Sequence, residues 1–155
     1  MVKEIMRRKA ADNIYLHKDF HGAMSTGIDY LERCYGAAAV NQYLREFTTS
    51  FYAPLNKALK ERGLIALKEY FEKVYELEGG KVRITLSEGE LVIVVEFCPA
   101  ITHLREKGYH VARLFCQTTK IMNEVICEGT PYLAELFLPE EESGRCIQRF
   151  YRRES

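Results

Sequence analysis

Three cysteines in this chain stand where changes in the hydrophobic pattern would bring them together. Cys98 opens a Cys-Pro at the end of a strongly apolar run. Cys116 follows after two histidines, His103 and His110, and Cys146 sits in Gly144-Arg145-Cys146 near the last apolar segment. A cysteine attacks as its thiolate. A free thiol of pKa ~8.5 becomes one at neutral pH only beside a cation, a metal or a helix N-terminus. His103 and His110 are the cations nearest in sequence, and imidazole titrates where it can act as general acid or base. Glu124, a turn or two beyond Cys116, adds a carboxylate. Two other readings use the same letters. Free cysteine is among the most buried residue types and packs as a small hydrophobe. Three thiolates and a histidine could also bind zinc, although no close Cys-x-x-Cys pair is present.

A second group lies near the N-terminus. His21 and Ser25, four positions apart, share a helical face beside Asp19, and the small Gly22 would leave room for a ligand there; solvent-facing polar residues explain the same pattern. His17 has no such context. Tyr30, Tyr43, Tyr52, Tyr70 and Tyr75 lie at helical spacing among apolar neighbours, as core residues with a wet hydroxyl do.

These residues need elements to position them. Phe20, Met24, Ile28 and Leu31 recur at steps of three and four and predict a first helix, with Asp19 as its cap and Gly36 as its left-handed stop. Gly22 and Gly27 within it imply close approach of another element. Val40, Tyr43, Leu44, Phe47, Phe51 and Leu59 predict a long second helix ending at Gly63, broken near Ser50 to Ala53 because Pro54 removes a backbone donor. Leu64, Leu67, Phe71 and Val74 mark a third helix, stopped at Gly79-Gly80.

At Lys81 the period changes to two. Val82, Ile84 and Leu86 alternate with polar residues, SEGE turns the chain, and LVIVVEF reads as an interior strand apolar on both faces and covered by helices on one side. Pro99 ends it. A short helix, ITHLREKG, and a longer one, HVARLFCQTTKIMNEVICEG, precede PYLAELFL and RCIQRFYRR, two strands joined by the acidic turn EEESG. The fold expected is α+β: a helical N-terminal half packed on a four-stranded antiparallel sheet made of two hairpins separated by helices, in a single domain over residues 1–155.

Composition narrows the function classes. The 22 basic and 22 acidic residues cancel, which argues against a general polyanion binder such as a nucleic-acid protein. The basic clusters Arg7, Arg8, Lys9 and Arg149, Arg152, Arg153 read as solvated tails. No window reaches the ~18 apolar residues that span a bilayer, and no signal peptide is evident, so a cytoplasmic protein is expected. An odd count of five cysteines fits free thiols, a metal or a reactive site better than a disulfide framework. No phosphate loop, dinucleotide fingerprint or serine-nucleophile elbow is present.

The succession Cys98-Pro99, Gly108, Cys116, Gly144-Arg145-Cys146 and Phe150 resembles the L-2-amino-thiazoline-4-carboxylate hydrolase-like family. Members have a Cys-Pro after a strand, a glycine before a cysteine-bearing helix and a Gly-x-Cys-x-x-x-Phe type ending; that ending is also similar to 4-vinyl reductase-type domains. The likeness covers mainly residues 90–152 and rests on motif spacing. It implies the α+β fold, a pocket near the three cysteines, and hydrolysis of a small polar C–N-containing molecule of amidine or thiazoline type; no cofactor is expected beyond the zinc already weighed. Such ring opening adds water to an amidine-like carbon and needs a proton donor and a charge stabiliser, for which Glu124 is the carboxylate at hand. The family pattern often has an acidic residue three positions after the middle cysteine, where this chain has Thr119. Thr119 is then a ligand contact, and the missing carboxylate favours the alternative, a non-enzymatic small-ligand-binding or sensor domain. A homo-oligomer is allowed if the hairpin carrying LVIVVEF exposes an edge.

Overall fold

Apolar residues at steps of three and four dominate the first half of the chain, and helices form there. The computed structural model describes residues 18–140 and 143–154, so the basic cluster at Arg7, Arg8 and Lys9, His17, and part of the EEESG turn lie outside the described residues. Helices α1 (Asp19–Tyr35), α2 (Ala37–Phe51), α3 (Ala53–Arg62) and α4 (Leu64–Glu78) follow one another with single-residue breaks. Pro54 sits in the first turn of α3, where its missing N–H costs nothing, and so the long second helix divides at Tyr52. Gly36 and Gly63 carry positive φ at two of the other joints, each with extended rather than left-handed helical ψ.

The second half supplies β1 (Lys81–Ser87), β2 (Glu90–Phe97), α5 (Pro99–Glu106), α6 (Gln117–Cys127), β3 (Tyr132–Phe137) and β4 (Cys146–Arg152). The sheet is antiparallel throughout, in the order β1-β2-β4-β3. The two hairpins therefore meet through β2 and β4, with Val95 opposite Cys146 and Leu91 opposite Phe150. The α+β fold read from the sequence is the one observed. β2 is an interior strand, as is β4, and the open edge of the first hairpin is β1, whose exposed Lys81 and Arg83 place charge along it.

The core has two lobes. Leu55, Leu59, Leu67 and Phe71 pack on the inner face of the sheet, on Leu91, Ile93, Val95 and Phe150, together with Ile126. Ile28, Val40 and Leu44 pack with Ile101, Leu104, Phe115, Ile121 and Val125. Each fully buried aliphatic side chain contributes about 1.5–3 kcal/mol. Cys98 touches both lobes, which places the end of β2 at their seam.

Two local expectations are corrected. Asp19 is the first residue of α1 rather than its cap, and Lys18 precedes it without a capping side chain. The long helix expected from His110 begins only at Gln117. The reason is Ser25, whose Oγ donates to the carbonyl of His110 (2.7 Å) and accepts from the N–H of Ala112 (2.8 Å), so this backbone is tied to α1 before a helix can start. Among the described residues, no helix is long and apolar enough to cross a membrane.

Candidate active site: a thiol-lined cavity

A cavity of about 200 Å³ opens at the seam between the two lobes. Helix α1 contributes His21 and Met24, and α2 contributes Phe47 and Thr48; Tyr70, Phe71, Tyr75 and Glu78 come from α4. The opposite wall holds Cys98 just before α5, Ile101 of α5, Cys116, Thr119 and Met122 at α6, and Cys146 of β4. The three cysteines expected to converge do share this space. Gly144 makes that possible: its carbonyl accepts from the N–H of Cys98 (3.1 Å), and a Cβ there would lie 3.3 Å from Cγ2 of Ile101 and 3.7 Å from Cβ of Cys98. Its φ of +71° suits glycine as well.

The thiols are held protonated. Burial pushes Cys98 up, and the N–H groups of Ile101 and Ala100 at the start of α5 oppose it only in part. Burial also raises Cys116, with Cys98 adding to the effect. Cys146 is pushed up to about 12 by burial and then by Cys98, against a contact from Gln148. A sulfur in such surroundings is a poor nucleophile at neutral pH. Among the described residues, no group of three or more His, Cys, Asp or Glu side chains is placed to hold a metal ion.

The remaining residues picked out by sequence divide. His21 and Thr119 line the cavity, and Nε2 of His21 lies 3.5 Å from Glu78. His103 is buried but faces Asp19, 3.3 Å from its carboxylate, with the ring of Tyr109 beside it. His110 is exposed against Asp29. Neither histidine lines the cavity: His103 projects from α5 toward Asp19 at the start of α1, and the segment between α5 and α6 places His110 against Asp29 of the same helix. Ser25 is buried and spent on backbone. Thr118, Thr119 and Met122 turn toward the cavity at steps of three and four; Glu124, two residues on, is not among the lining residues. The space at Gly22 is taken by Tyr109, whose Cδ2 would lie 3.1 Å from a Cβ there, while nothing approaches Gly27 within 4 Å.

Sequence reasoning missed a polar chain under the cavity floor. Nδ2 of Asn123 donates to Oε1 of Gln148 (2.8 Å), and Nε2 of Gln148 donates to the hydroxyl of Tyr75 (2.9 Å). Asn123 and Gln148 are both 1% exposed. The available signal was alternation in β4: Gln148 falls between Cys146 and Phe150 on the inward face, an unusual place for an amide. Tyr52 and Tyr70 stand at the cavity wall with their rings edge-on, centroids 6.2 Å apart.

Fold and site together define an α+β domain enclosing a mostly apolar cavity with a few polar groups at fixed points. A scan against protein-family models, a search of curated proteins and a search of solved structures each found no match.

Proposed function

We propose that this protein binds a small, largely apolar molecule in the cavity between its helical lobe and its sheet, as a ligand-binding or sensor domain rather than a thiol hydrolase. The observation that carries this reading is the cavity itself. Its walls are mostly aromatic and aliphatic, with His21, Glu78, Thr119 and Arg145 among the polar residues that line it, and its volume of about 200 Å³ exceeds the ~150 Å³ of an engineered apolar cavity that takes up benzene. Hydrolysis at a C–N bond would need a thiolate or an activated water. Burial disfavours the first, and His103, His110 and Glu124, read from sequence as its acid–base groups, do not line the cavity. Hydrolysis of an amidine- or thiazoline-like molecule is kept as the second reading by one feature, the position of Cys98 just before the first turn of α5, where backbone N–H groups favour a thiolate.

Thr119→Trp tests the proposal, because it fills the cavity from α6. Small ketones, aromatic hydrocarbons and short-chain acids are screened for an increase in Tm of the wild-type protein. Compounds that stabilise the wild type and no longer stabilise the Trp variant support binding in the cavity; stabilisation that survives the substitution, or none at all, rejects it.

A further inference from the structure

We infer that the Tyr75 hydroxyl is the donor that selects, among apolar molecules fitting the cavity, those bearing a carbonyl or equivalent hydrogen-bond acceptor, with Gln148 and Asn123 as positioning residues. This inference rests on the cavity being a ligand site and adds the chemistry of the ligand.

The hydrogen-bond count leads to it. A phenol has one hydrogen and two acceptor sites. Nε2 of Gln148 donates to the Tyr75 oxygen, and Oε1 of the same amide is occupied by Nδ2 of Asn123. The amide is thus oriented, nitrogen toward Tyr75 and oxygen toward Asn123. The structure gives the phenolic hydrogen no acceptor among the described residues, and Tyr75 lines the cavity. An acceptor brought in by a ligand completes the chain Asn123 to Gln148 to Tyr75 to ligand, in which every bond runs in one direction.

Two further features fix the phenol in place. Position 80 is glycine, and a Cβ there would fall 2.7 Å from Cδ1 of Tyr75 and 3.1 Å from Cδ of Pro99, so the ring lies against bare backbone. The amide chain is maintained at a cost, since Oδ1 of Asn123 is buried with no partner among the described residues. An apolar pair at positions 123 and 148 would avoid that cost, and would leave the Tyr75 hydroxyl free to rotate.

Acetophenone and α-methylstyrene are a suitable probe pair, because they have nearly the same shape and differ by C=O against C=CH₂. Their affinities are measured by calorimetric or NMR titration of the full chain. The wild type is expected to favour the ketone by roughly three- to tenfold, the usual range for one neutral hydrogen bond. Tyr75→Phe should remove the preference, the ratio of the two affinities falling to about one, and a cooperative thermal melt of the variant shows that it is folded. Gln148→Met should reduce the preference in part. Equal binding of the two probes by the wild type, a preference that survives in Tyr75→Phe, or one that rises in Gln148→Met each overturns the inference while leaving the cavity reading standing. Binding of neither probe by the wild type overturns both.

Discussion

At the scale of single residues, the cavity separates two properties that cysteine usually combines, nearness and reactivity. Cys98, Cys116 and Cys146 are neighbours, yet burial keeps each protonated, whereas Cys34 is exposed on α1. Thiol labelling of the native protein at pH 7.5 is therefore expected to modify one cysteine rapidly, to lose that phase in Cys34→Ser, and to reach the other four only on unfolding. Rapid modification of Cys98 or Cys146 would instead restore the hydrolase reading. The meeting of these two was legible because a strand ending in Cys-Pro and a returning strand have directions that pairing fixes. His103 and His110 were not: His103 meets Asp19 through the packing of α5 beside α1, His110 is set by the way Ser25 ties the irregular backbone before α6, and residue spacing carries no record of either. Tyr75 was read only as a core tyrosine, since its role depends on an amide from a strand far away in sequence.

Among the elements, breaks were easier to read than beginnings. Pro54 announces the division of α2 from α3 through chemistry local to the residue, while the start of α6 is set by partners distant in sequence. The joint between α3 and α6 shows how such partners act. Nδ2 of Asn56 donates to the carbonyls of Ile126 (2.8 Å) and Glu128 (2.9 Å), which lie at the C-terminal end of α6 where no helical N–H remains to serve them. Asn56→Ala should lower stability by about 1 kcal/mol, or roughly 2–4 °C in Tm, with no change in the affinity of a cavity ligand. A thermal melt matching the wild type would show that water replaces the clamp. Asn56 gave no sequence signal, since an asparagine on a helix facing another helix end looks like any surface amide.

For the molecule as a whole, the buried thiols and phenols set a limit at alkaline pH. Cys127 and Cys146 are pushed up to about 12 from the ordinary 9.0, and Tyr52, Tyr70 and Tyr75 are also raised, in each case chiefly by burial. The folded state then holds protons that the unfolded chain releases, so the stability they confer is complete below pH 9 and is lost as pH rises toward 12. The urea midpoint should fall steadily across that window and be flat between pH 7 and 8.5; a midpoint unchanged at pH 11 would mean that these groups are not buried as described. The α+β class itself was legible as a switch in hydrophobic period at Lys81. The strand order was not, because two hairpins can join along either edge and the periodicity of each is the same in both cases.

That order has a consequence for how the chain emerges during synthesis. β4, last of the strands, is an interior one, so Leu91, Ile93 and Val95 lack their lateral partner until residue 152 has been made. The β1–β2 hairpin must wait as an incomplete sheet with a sticky free edge, and the cavity, whose wall includes Cys146, does not exist in any shorter nascent chain. Closure of the sheet therefore waits on its last strand, and long-range strand pairing that comes late leaves apolar edges open to aggregation.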